Sequence, residues 1–98
     1  MTSRIGGVKK RQVRTIGEAV GAVVTELRVQ KGLTLREVSR RSNCAIYSIS
    51  NIEMARKSPT LRTLEALARA CSVKVSSIIV AAEEAQRAYK KRKNRKLK

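Results

Sequence analysis

Between Thr34 and Glu53 the chain reads TLREVSRRSNCAIYSISNIE, and this stretch limits the fold more than any other. Its apolar spacing describes two short helices joined by a turn too tight for either to pack independently. Thr34 and Glu37 form a capping box: the Thr hydroxyl accepts from the Glu37 N–H while the carboxylate reaches back to the Thr34 N–H. A helix therefore begins at Leu35. Its apolar positions are Leu35 and Val38 with small Ser39 beside them, and Arg36, Arg40 and Arg41 take the remainder. So narrow a stripe needs a neighbour. Asn43 falls where the chain must reverse, and Asn tolerates the left-handed backbone better than any residue except Gly. In the next helix, about 45–53, Ile49 and Ile52 share one face while Tyr47, Ser48 and Asn51 point elsewhere. A polar, uncharged outer face suits the base edges of a DNA groove better than a salt-bridged surface would.

Capping and periodicity delimit the other elements. Thr15 and Glu18 form a second capping box, after which Ile16, Ala19, Val20, Val23, Val24 and Leu27 mark the buried face of a first helix running to about Lys31. Gly32 ends it as a C′ glycine. Beyond the third helix comes a basic loop with Arg56 and Lys57, closed by Pro59. Thr60 then caps a fourth helix whose apolar face is Leu61, Leu64, Leu67, Ala68 and Cys71. A fifth helix starts near Val75, where Val75, Ile78, Ala82, Ala85 and Tyr89 repeat at alternating steps of three and four, the spacing of a helix seam. Its outer part is mostly Ala, which buries little area. Residues 83–92 are therefore expected to be helical only with a partner or in a crystal, and the final KKRKNRKLK to be disordered when free. No β pattern of useful length occurs.

Charge divides the chain of 98 residues into three. Residues 1–14 carry five basic and no acidic groups, residues 15–82 ten and five, and residues 83–98 eight and two, so eleven of the sixteen excess positive charges lie in the end segments. The expected organisation is a flexible basic arm (1–14), one helical domain (15–82) and a basic C-terminal extension (83–98), partly helical and then disordered. A charge run is usually a solvated face. Two arms of one sign flanking a helix pair suited to a groove favour nucleic-acid contact instead.

The same inventory narrows the chemistry. A domain of this length has room for one modest core burying about 60–65% of its unfolded surface. There is no His, Asp or Trp, which removes the commonest general base and the commonest metal ligand, so neither enzyme activity nor a metal or cofactor is expected. Cys44 and Cys71 are far apart in sequence with no ligand partners nearby, and read as reduced core thiols rather than a redox or zinc motif, with an oxidation-sensitive role as the alternative. No apolar run of roughly 18 or more residues and no signal-peptide layout occur, so a soluble cytoplasmic, nucleoid-associated protein with no membrane contact is expected.

An all-α chain of five helices, with the turn between the second and third and a basic loop before the fourth, resembles the lambda Cro/repressor-type helix-turn-helix family over roughly Ile16 to Ala82. The matching segments are LRVQKGLTLREVS from Leu27 to Ser39, SNCAIYSISNIE from Ser42 to Glu53, and SPTLRTLEALARACSV from Ser58 to Val73. The resemblance implies that Arg28 and Glu53 form a structural ion pair linking helix one to the end of helix three. It implies that Ile46, Tyr47 and Asn51 contact bases, with Ala45 and Ser48 beside the DNA backbone. Leu35 stands where many relatives carry a Gln that touches the backbone, leaving Thr34 and the helix-two N–H groups as phosphate binders. Ala55 and Ser72 replace two common glycines.

Each of these residues has a structural alternative. Tyr47 could be a partly buried surface aromatic, Ile46 a core residue displaced by one step, and Asn51 a solvated polar residue. Ile46 cannot hydrogen-bond a base but can pack on a thymine methyl, whereas Asn51 suits bidentate recognition of adenine. The expected function is a sequence-specific double-stranded DNA-binding transcriptional regulator, repressor or activator, that inserts helix three in the major groove. Phosphate contacts from Thr34, Arg36, Arg56 and Lys57 would set its register. By analogy with the family it is a homodimer reading half-sites about 34–36 Å apart. Val75, Ile78, Ile79 and Ala82 are the candidates for the dimer face, and burial within the monomer against helices one and four is the alternative. The competing reading is a small basic architectural protein whose tails coat nucleic acid nonspecifically while the helical domain binds a protein partner.

Overall fold

The computed structural model describes the backbone of residues 11–97 and the side chains of residues 11–93. Five helices follow one another: α1 (Ile16–Gln30), α2 (Leu35–Ser42), α3 (Ile46–Glu53), α4 (Leu61–Ala70) and α5 (Val75–Leu97), with no strand among the described residues. Both capping boxes form. Glu18 N–H donates to Thr15 Oγ1 at 3.1 Å and Glu37 N–H to Thr34 Oγ1 at 3.0 Å, while each carboxylate returns to its cap's backbone N–H. Thr60 Oγ1 accepts from the Thr63 N–H to start α4.

Positive-φ residues end the helices. Gly32 (φ 69°) follows α1 and Asn43 (φ 61°) closes α2. Ala55 and Ser72, both at φ 60°, end α3 and α4. At these two positions an L side chain sits in the left-handed region without glycine's freedom, so the turns keep the geometry that glycine favours at a local cost.

The core is one cluster drawn from all five helices. Ile49, Ile52, Leu67, Ile78, Val23, Val24 and Val38 are fully buried in it. Ile49 and Ile52 attach α3 to the body, and burying two such side chains contributes at most about 3–6 kcal/mol. Two residues assigned to buried faces lie outside it: Ile16 and Leu61, the first residues of α1 and α4, are 45% and 79% exposed. A helix's first turn overhangs its packed neighbour, so periodicity alone misplaces it.

The ends of the chain depart most from the sequence reading. Residues 1–10 of the expected flexible arm lie outside the described residues, but residues 11–14 lie on the body. Val13 is fully buried in the core. Arg11 Nη2 donates to the Glu53 carbonyl at 2.7 Å, and Arg14 O accepts from Gln86 Nε2 of α5 at 3.1 Å. This strap bears on the second departure. The helix expected to lapse from residue 83 without a partner, and the tail expected to be disordered from residue 90, instead continue α5 to Leu97. Ala82 is fully buried, and Ala85 and Tyr89 pack against the core. Small side chains let α5 approach α1 closely, and residues 11–14 supply the neighbour that the Ala-rich seam needed.

Candidate nucleic-acid interface

The α2–turn–α3 unit is built from local bonds. Asn43 turns the chain in the left-handed conformation, Ser39 Oγ donates to the Cys44 carbonyl at 2.6 Å, and Cys44 N–H donates to Ser42 Oγ at 3.2 Å. Cys44 is therefore half-buried in the turn, whereas Cys71 lies in the core, where burial pushes its thiol pKa up. The Thr34 backbone N–H bonded to Glu37 holds that carboxyl below its ordinary range.

The C-terminal end of α3 is fixed from several directions. Arg28 Nε donates to Glu53 Oε2 at 2.7 Å and Nη2 to Oε1 at 3.1 Å, a bidentate pair, and Nη1 donates to the Leu33 carbonyl at 3.0 Å. The Glu53 side chain is 7% exposed and that of Arg28 17%, so the pair is largely removed from water. The hydrogen bond to Glu53 raises the Arg28 pKa, keeping the guanidinium charged. Arg11 holds the Glu53 carbonyl. Gly21 of α1 lets the helices touch: a Cβ there would collide with the Ile52 carbonyl oxygen and lie 3.1 Å from that of Glu53.

The N-terminal end of α3 is open. Its N-cap, Ala45, makes no side-chain cap bond and is exposed. Ile46 and Tyr47 are 39% and 76% exposed, so neither is a displaced core residue nor a buried aromatic. Ser48 and Asn51 are half-buried, and Asn51 Oδ1 accepts from Arg56 Nη1 at 3.3 Å. Arg36, Arg40, Arg56 and Lys57 are exposed, as is Thr34, whose hydroxyl is engaged in its capping box. Arg41 is directed elsewhere, its Nη1 lying 3.4 Å from the Ala70 carbonyl at the end of α4. Between the turn and the α3–α4 loop lies a cavity of about 300 Å³ lined by Asn43, Ala45, Ser48, Lys57, Ser58 and Thr60 among others.

The structure thus brings Ile46, Tyr47, Asn51 and Arg56 onto one surface, with Ala45, Ser48 and Lys57 at its edge by the cavity. It does not do so for the dimer candidates as a set. Ile78 and Ala82 are fully buried within the monomer, and only Val75 and Ile79 remain half-buried. The seam spacing of Ile78 and Ala82 reports packing within the monomer. Arg11, which braces α3, was missed because a basic residue in a basic run carries no signal of burial or partner. Thr60 was read only as a cap. Among the described residues no group of three or more His, Cys, Asp or Glu could hold a metal ion, and no helix is long and apolar enough to cross a membrane.

Known proteins share this arrangement. A family model described as a helix-turn-helix domain matches residues 19–76. The transcriptional regulator ClgR of Mycobacterium tuberculosis is 35% identical over 69 residues, which is 70% of this chain and 62% of that protein; the chain thus spans less than two thirds of that relative's length. An uncharacterized HTH-type transcriptional regulator, y4dJ of Sinorhizobium fredii, is 37% identical over 65 residues, covering 66% of this chain and 84% of that one. The crystal structure of the clp gene regulator ClgR from Corynebacterium glutamicum superposes with a TM-score of 0.78 at 25% identity, covering 82% of this chain and 85% of that chain. Because the family match takes in more than half of the sequence, and with it the whole α2–turn–α3 unit, the chain belongs to the XRE-like helix-turn-helix family.

Proposed function

We propose that the chain is a sequence-specific double-stranded DNA-binding transcriptional regulator that inserts α3 into the major groove. One observation carries this reading: α3 is locked at its C-terminal end and along its Ile49–Ile52 face, while Ile46, Tyr47 and Asn51 are left for another surface. A groove-reading helix needs that combination, since base contacts discriminate only when the backbone beneath them is held. Asn51 reads adenine through Oδ1 and Nδ2, which requires Arg56 to release Oδ1. That exposed 3.3 Å bond is worth on the order of 1 kcal/mol or less, so the exchange is cheap. Ile46 packs on a thymine methyl and Tyr47 beside it.

Ala45, Ser48, Arg56 and Lys57 border the same surface and, with the exposed Thr34 and Arg36 of the preceding helix, set the register through phosphates. The protein acts as a homodimer on half-sites about 34–36 Å apart. With Ile78 and Ala82 consumed inside the monomer, the dimer face is Val75 and Ile79 with the adjacent Val80, which is 51% exposed.

Selection of preferred duplexes from random sequence, with the mass of the complex measured on the winner, tests the whole reading. A preferred duplex bound by two chains is the expected result. If no duplex is preferred by more than a few-fold, the regulator reading fails in favour of a nonspecific architectural protein. On the selected duplex, Asn51→Ala should weaken binding by roughly 1–3 kcal/mol and leave random DNA almost unaffected; equal losses on both would remove Asn51 from base reading.

A further inference from the structure

The C-terminal part of α5 holds the largest concentration of charge in the described fold. Residues 87–97 carry seven basic groups and no acidic one. Their direction follows from the packing of α5. Cys71, just before α5, is close enough to Arg28 and Lys31 at the end of α1 to feel their charges, whereas Gln86 bonds to Arg14 O just before α1 begins. The two helices are therefore antiparallel, and residues 87–97 run on past the N-terminus of α1 for about 16 Å.

That end of α1 also adjoins the α3–α4 loop. A Cβ built on Gly17 would lie 3.3 Å from Ser58 Oγ, and Ser58 directly follows the exposed Arg56 and Lys57. The basic end of α5 thus leaves the body on the side where the candidate phosphate-binding loop stands. Lys90, Lys91 and Lys93 are exposed, and Arg92 lies over the Tyr89 ring at 5.7 Å, next to the last core contact of α5. Basic residues one helical turn apart, such as Arg87 and Lys91, repel each other along the helix. A polyanion laid beside it relieves that repulsion.

We propose that residues 87–97 are a second DNA-contacting element, a helical spur that lies along the phosphates flanking the groove entered by α3. This rests on the reading of α3 as the groove helix. At 3.4 Å per base pair the spur extends the contacted duplex by about 5 base pairs beyond each half-site. It adds grip and footprint without sequence preference, because it faces phosphates only.

The test uses the full chain on the selected duplex with long flanks, reading the salt dependence of affinity and the hydroxyl-radical footprint. Combining Lys90→Gln, Lys91→Gln, Lys93→Gln, Arg95→Gln and Lys96→Gln retains Arg92 and Tyr89. This variant should flatten the log–log salt slope by up to about 4.5, at about 0.9 per phosphate, and weaken every duplex at least tenfold at 0.1 M salt. Protection over the flanks should disappear and the site preference should remain. Ala88→Pro keeps every charge and interrupts the helix; it should also abolish protection of the flanks.

An unchanged slope and footprint in the five-fold variant would overturn the proposal. So would flank protection that survives Ala88→Pro, which would mean a pliable tail and not a directed spur. The two readings fail separately. Absence of any preferred duplex, with the slope difference intact on all DNA, counts against α3 alone. A preferred duplex read equally well by the variant at an unchanged slope counts against the spur alone.

Discussion

Removing Arg28 should loosen the recognition helix from the body by an amount the structure allows to be worked out. Arg28→Ala deletes two bonds to the Glu53 carboxylate, at 2.7 and 3.1 Å, and one to the Leu33 carbonyl at 3.0 Å. The carboxylate left behind is 7% exposed, so water cannot replace what is lost. Breaking one side of a fully buried pair costs about 3–5 kcal/mol, and the 17% exposure of Arg28 places this pair at the lower end, about 3 kcal/mol. A domain of this size has roughly 5–15 kcal/mol in all, so the loss is a large share of its stability.

Urea denaturation followed by far-UV circular dichroism should show the midpoint falling at an unchanged m-value, and the Tm should fall by about 12–20 °C. The double substitution Arg28→Met with Glu53→Met removes both charges and fills the same space. It should return to within about 1 kcal/mol of the parent, because an ion pair replaced whole by apolar groups has no orphaned charge. A single-variant loss under about 1 kcal/mol, or a double variant no more stable than the single, would refute the idea that this pair fastens α3 to α1.

Other substitutions probe the packing and the caps. Gly21→Ala should destabilise by about 2–3 kcal/mol in the same denaturation experiment, since its methyl meets backbone carbonyls that cannot rotate away. Ala55→Gly and Ser72→Gly should each stabilise by about 0.5–1 kcal/mol, relieving a left-handed backbone at φ 60°; a loss at either position would contradict the strain assigned there. Glu18 and Glu37 have carboxyl pKa values held below the ordinary value of 4.5, in Glu18 first by the Arg14 side chain and in Glu37 first by the Thr34 backbone N–H. A depressed folded pKa contributes stability that is complete above the unfolded value and lost as pH falls through the folded one. Thermal melts should therefore decline below about pH 4.5, and a Glu18→Gln, Glu37→Gln variant should show a flatter decline.

What could be read from the residues was what short-range chemistry decides. Thr15 with Glu18, Thr34 with Glu37, Asn43 and Thr60 each set a helix boundary through bonds spanning a few residues, and the structure forms all of them. The Arg28–Glu53 contact was reached only through family resemblance, because no local pattern links residues on different helices. The misplacements came from long-range packing. Val13 is one apolar residue in a basic stretch, with no periodicity to mark it as core. Ile78 and Ala82 have the spacing of a seam, and spacing cannot tell whether the facing helix belongs to the same chain or another. The site surface was legible in outline because a polar face opposite Ile49 and Ile52 is a helical pattern. The bond between Asn51 and Arg56 across the end of α3 was not.

The uncapped start of α3 bears on how such a protein can change. Ala45 contributes no cap bond, and Tyr47 is largely in solvent, so replacing residues at this end removes little that the fold depends on. The fastening of the helix lies along its Ile49–Ile52 face and at its other end, in Gly21, Arg28, Arg11 and Glu53. Mutational drift can therefore rewrite the residues that face a partner while the frame beneath stays constant. Divergent copies of this domain could acquire new targets without first acquiring compensating mutations in the core.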